Sequence, residues 1–163
     1  MNKKNVTWFV NNFEEVTGAT LLLLMASLAF LNVLTRYFIK YSLAFTEELE
    51  VASMVWLTML GTAAAFKRGA HLKFVFLESR VSPRARFFLA LFSFALGLVL
   101  FTAIAFLSYF HLRDLIELNV TTEALDIPES IYVMAIPLGS VLINIRIIQL
   151  IRKVLKERRS SWE

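Results

Sequence analysis

Four stretches of this chain run for most of a membrane's thickness without a single charged residue. They are Val16–Thr35, Val51–Phe66, Phe87–Phe110 and Ser130–Ile145, the last continuing past a lone Arg146 to Ile151. A helix rises about 1.5 Å per residue and needs about 20 residues to cross a hydrocarbon core roughly 30 Å thick. The first and third runs meet that length alone. The second and fourth meet it once a charged end residue sits at the interface. In lipid a lone strand leaves its backbone polar groups unsatisfied, so apolar segments of this length cross as helices. The expected fold is an all-α integral membrane protein of four transmembrane helices, over about 16–38, 48–66, 87–112 and 130–151, forming a single membrane domain across 1–163.

Composition supports this. The chain is 58% hydrophobic, and its 18% of charged residues are segregated between the runs. Its mean hydropathy of +0.64 is too high for an ordinary water-soluble domain. The first run follows Lys3 and Lys4 as a secretory signal would. However, Asn11, Asn12, Glu14 and Glu15 intervene and no small-residue cleavage site follows, so it reads as a retained helix. The absence of cysteine excludes disulfides, thiolate metal sites and cysteine nucleophiles. The pI of about 9.6 reflects topology rather than a nucleic-acid partner.

Topology follows from where the bases lie. Lys3 and Lys4, the group Lys67, Arg68, Lys73, Arg80, Arg84 and Arg86, and the tail Arg152–Arg159 fall on one side. Only Arg36, Lys40 and Arg113 fall on the other. The positive-inside rule puts both termini and the 67–86 segment in the cytoplasm. Loops 38–46 and 113–129 then face outward, the second of them acidic. Two interfacial amphipathic segments are expected on the cytoplasmic face, over about 6–14 and 70–82, the latter ending near Pro83. The Phe-rich third run should present lipid-facing surface, and Pro137 with Gly139 should kink the fourth span.

The polar residues offer three readings of Glu47 and Glu48, which open the second span. With Thr46 as N-cap, acids in the first turn oppose the positive helix end, worth about 0.3–1 kcal/mol each. Arg36, near the outer end of the first span, could pair with either acid across the short loop. A proton or cation site is the third reading, weakened by a position at the membrane rim. Asn32 shares a face with Arg36 and should hydrogen-bond a neighbouring helix. Gly61 and Ala65 form a small-xxx-small pattern that permits close helix approach, within the chain or against another subunit. Arg146 either snorkels to the cytoplasmic headgroups or meets an acid on a partner. His71 and His111 fall on opposite sides of the membrane and cannot share a metal. No nucleophile–histidine–acid set, phosphate loop or metal cluster is present, so neither an enzyme nor a nucleic-acid module is expected. The first span holds no acid, unlike small dimeric drug exporters, and matched broken helices in inverted halves are missing. These features favour an accessory subunit whose partner carries the substrate site. An independent small oligomeric transporter or channel is the alternative, and a haem- or quinone-linked anchor a third class.

The ordered string "NVLTRY" (Asn32–Tyr37), "TEEL" (Thr46–Leu49), Trp56, "LGTAAAFKRGAHLKF" (Leu60–Phe74) and "ALDIPESIYVMAIPLG" (Ala124–Gly139), followed by a basic tail, resembles the small membrane (Q-type) subunit of tripartite ATP-independent periplasmic (TRAP) transporters. The likeness covers essentially the whole chain, and its specificity lies in the order and spacing of the pieces. It implies a multi-pass protein of the bacterial inner membrane that works with a large (M-type) membrane subunit and a periplasmic substrate-binding protein. The large subunit would bind the substrate, an organic anion of dicarboxylate or sialic-acid type, together with sodium, so this chain needs no cofactor. The small subunit would brace the large one and help dock the binding protein. The chain ends after its basic tail, as an unfused subunit would. The resemblance gives Asn32, Arg36, Glu47, Glu48, Trp56, Gly61 and His71 structural or interface roles, beside Ala65 and Arg146 from the reading above. Docking of the binding protein by Asp114, Glu117, Glu123 and Asp126 is an expectation drawn from loop position alone.

Overall fold

The computed structural model describes residues 3–40, 43–68 and 82–160. They form α1 (Lys3–Phe38), α2 (Ala44–Lys67), α3 (Pro83–Glu117), the single turn α4 (Ser130–Val133) and α5 (Ala135–Ser160). Four stretches are long and apolar enough to cross a membrane: Asn12–Phe38, Ala44–Lys67, Phe87–Glu117 and Ser130–Lys156. The protein is therefore an all-α, four-span membrane protein. The segment expected to be interfacial at 6–14 is an unbroken continuation of α1. The one expected at 70–82, with His71 in it, lies outside the described residues except for Ser82.

The helices neighbour one another in the order α1, α2, α5, α3. The apolar stretches of α2 and α5 are 22% and 28% buried within the chain, against 6% each for α1 and α3. The inner pair thus supplies the core, and the outer pair turns most of its surface to lipid. That core is Ala63 and Phe66 of α2, Phe94 of α3, and Ile143 and Ile147 of α5. Phe66 meets Phe101 edge to face, with ring centroids 6.1 Å apart. The phenylalanines of α3 divide accordingly. Phe88, Phe92, Phe106 and Phe110 are exposed, whereas Phe94 is buried.

Close approach is made at Gly139, not at Gly61. A Cβ built on Gly139 would lie 2.8 Å from Met59 Cγ and closer still to Met59 Cβ, so only glycine admits α2 at this crossing. Gly61 has nothing within 4 Å of its notional Cβ. The Gly61–Ala65 pattern therefore serves no close approach inside the chain, because the tight face of α2 is the one carrying Met59 and Ala63.

One local expectation needs correcting. Thr46 is not the N-cap of α2: the helix begins at Ala44, Leu43 is the N-cap, and no side chain caps it. Thr46 is instead buried and its hydroxyl donates back to the Leu43 carbonyl at 2.6 Å. Pro83 begins α3, in the first-turn position where its missing N–H costs nothing, with Ser82 as N-cap accepting from Ala85 N–H, and the amphipathic segment expected to end near it lies outside the described residues. The kink expected of the fourth span falls at Met134, between α4 and α5, in the turn that precedes Pro137. Pro137 cannot donate to Val133, and the next bond, Leu138 N–H to Met134 O, is stretched to 3.4 Å.

Candidate functional site

Polar side chains gather at the two ends of the bundle, and each end is tied together differently. At the end where α1 enters the membrane, Glu14 of α1 is 1% exposed and accepts from Arg146 of α5. Arg146 Nε and Nη2 both lie 2.6 Å from Glu14 Oε1, and Nη1 donates to Gln149 Oε1 at 2.8 Å. A buried glutamate is tolerable here because the half-buried arginine beside it neutralises its charge. Arg146 thus neither snorkels nor waits for a partner chain: its acid is in this chain.

One residue on, Glu15 binds the end of α2. Arg68 donates to it through Nε and Nη2, and Lys67 Nζ lies 3.5 Å from Glu15 Oε1. Lys67 also donates to Asn12 Oδ1 at 3.2 Å. The hydrogen bond that Arg68 donates to Glu15 holds its guanidinium above its ordinary pKa. The sequence reading missed this cluster of Asn12, Glu14, Glu15 and Gln149. Its signal was a pair of acids standing at the basic end of the first run, where the charge rule favours only cations.

At the opposite end, Asn32 Oδ1 accepts the backbone N–H of Leu43 at 3.1 Å. It fastens the end of α1 to the uncapped start of α2. Arg36 lies one turn further along α1, exposed, and among the described residues it pairs with neither Glu47 nor Glu48. Both oxygens of Glu48 are committed elsewhere. They accept the backbone N–H groups of Ala124 and Leu125, at 3.1 and 3.0 Å, across 76 and 77 residues of chain. Glu47 is exposed on the first turn of α2. Trp56 and Ala65 are half-buried on the same helix.

The segment that Glu48 holds is built with care. Asn119, at φ 49°, ends α3 in a Schellman arrangement, with Asn119 N–H bonded to Ile116 O and Val120 N–H to Leu115 O. Thr121 and Pro128 then bridge, Thr122 N–H bonds Ile127 O, and Asp126 turns the chain at φ 53°. Of the candidate docking acids, Glu123 and Asp126 sit exposed in this segment, and Asp114 and Glu117 sit exposed on the last turns of α3. Glu117 accepts from Arg113 at 2.6 Å. No group of His, Asp and Glu suited to hold a metal occurs among the described residues.

Chemically, both ends position helices and a loop; among the described residues neither presents a nucleophile beside a base. Comparison with known proteins agrees. The model of the family described as "Tripartite ATP-independent periplasmic transporters, DctQ component" matches residues 25–157. The chain is 26% identical to the sialic acid TRAP transporter small permease SiaQ of Vibrio cholerae, over 96% of this chain and 89% of the relative. It is 27% identical to the sialic acid TRAP transporter permease SiaT of Haemophilus influenzae, over 86% of this chain but only 23% of that longer protein. A TRAP transporter small permease of Haemophilus influenzae is 31% identical over about half of each chain, 49% and 50%. With four spans, ends tied by structural polar contacts, and this match over most of its length, the chain is a multi-pass inner-membrane transporter subunit, not an enzyme, and belongs to the DctQ component family of tripartite ATP-independent periplasmic transporters.

Proposed function

We propose that this chain is the scaffold subunit of a sodium-driven, binding-protein-dependent organic-anion importer. It braces a large permease that carries the substrate and sodium sites. The transported anion is of the sialic-acid or dicarboxylate type, a class supported by the names of the SiaQ and SiaT relatives. The observation that carries the reading is the use made of the polar groups. Glu14, Glu15, Asn32, Glu48 and Arg146 are each spent on ties between helices or to a loop. A rigid four-helix unit that turns most of its apolar surface outward suits bracing better than carrying.

The charge distribution supports a cytoplasmic position for the Glu14–Arg146 end and both termini. The segment 118–129 then lies outside. Held by Glu48 and exposing Glu123 and Asp126, it is the surface that helps dock the periplasmic binding protein. Reconstitution decides the matter. Uptake of a sialic-acid-type anion into liposomes should require this chain, the large permease, the binding protein and a sodium gradient together. Uptake by the 163-residue chain alone would instead establish an independent transporter.

A further inference from the structure

Between α2 and α5, at the Glu14–Arg146 end, lies a cavity of about 200 Å³ lined by Phe66, Lys67, Arg146, Gln149, Leu150 and Lys153. That is several times the roughly 30 Å³ that one water occupies in the liquid. Its polar lining is cationic. Of its three bases, Lys67 pairs with Glu15 and Arg146 with Glu14, and Lys153 adds a further positive charge. Arg146 lines the space, whereas its partner Glu14 is buried and does not. Lys153 is exposed and has no hydrogen bond or ion pair among the described residues. Gln149 gives its Oε1 to Arg146, which leaves its amide N–H groups as donors. The remaining lining is apolar, and the exposed Ile148 and Leu155 extend that surface along α5.

We propose that this cavity binds the phosphate of an anionic phospholipid. Lys153 supplies the uncommitted charge, Lys67 and Arg146, already held by their acids, the rim beside it, Gln149 an amide donor, and Phe66 and Leu150 the contact with the first part of an acyl chain. A free anion would be served by the bases alone. The pairing of a cationic rim with apolar walls, at the level where α2 ends, fits a molecule that is itself anionic at the headgroup and apolar below it. The proposal is independent of what the transporter carries.

The test is native mass spectrometry of the full chain, extracted from nanodiscs of phosphatidylcholine with one quarter phosphatidylglycerol. Retention of one phosphatidylglycerol in preference to phosphatidylcholine is expected, with retention about five-fold weaker in Lys153→Ala, since one base near the surface is worth about that factor. Arg152→Ala and Lys156→Ala, which remove exposed bases of the same helix that do not line the cavity, should retain lipid as the parent does. Equal losses in all three variants would reduce the effect to diffuse attraction by the tail and overturn the site. Thermal stabilisation by inorganic phosphate matching that by phosphatidylglycerol would overturn the lipid assignment. Loss of the lipid on assembly with the large permease would give the cavity to a protein partner, and overturn it as well.

Discussion

Arg146 of α5 directs two of its nitrogens at one oxygen of Glu14, 132 residues earlier in the chain and on the far side of α2 in the neighbour order. The outer helix α1 is thereby linked to α5, although its apolar packing is against α2. One strong polar contact offsets scant burial: only 6% of the apolar stretch of α1 is buried within the chain.

Removing one partner of that pair strands the other. Arg146→Leu is expected to cost about 3–5 kcal/mol, because Glu14 is left charged and buried. The double variant Glu14→Leu with Arg146→Leu should recover most of the loss, since two apolar residues need no partner. Thermal unfolding of the detergent-purified chain reads both. A single variant as stable as the parent would show that the pair is not formed.

Glu48 is expected to act on the loop, not on Arg36. Glu48→Ala removes two charge-assisted acceptors, worth about 1.5–3 kcal/mol each at most. Hydrogen–deuterium exchange at the amides of Ala124 and Leu125 should accelerate by one to two orders of magnitude, roughly what such losses imply. Arg36→Ala should leave those amides as protected as before. Equal acceleration in both variants would revive a tie between Arg36 and the acid.

Gly139→Leu should destabilise by about 1–3 kcal/mol or more, as overpacking does. Its side chain would enter the space of Met59 on α2. Met59→Ala in the same chain should relieve much of the loss, as coupled neighbours do. Additive losses would place the damage elsewhere on α5.

Gly61→Leu is expected to change the stability of the isolated chain by no more than about 0.5 kcal/mol, since nothing faces Gly61. Its helix propensity even improves. A clear loss of thermal stability in the isolated chain would contradict the outward position of this residue.

The number of spans was legible from the sequence by itself, as was the Q-type subunit resemblance. The physical reason is locality. Whether a helix enters lipid depends on the summed transfer cost of consecutive residues, and Val16–Thr35 or Phe87–Phe110 satisfies it with no knowledge of neighbours. The start of α2 was displaced by three residues, because Thr46 has the chemistry of a cap whereas the cap position falls at Leu43, which Asn32 serves from another helix. Only the tertiary structure decided which polar groups meet. Helix order and rotation are set by packing, such as the contact of Gly139 with Met59, and no periodicity within one run reveals them. That packing brought Arg146 to Glu14 instead of to lipid headgroups. It also gave Glu48 to the backbone of Ala124 and Leu125, leaving Arg36 exposed.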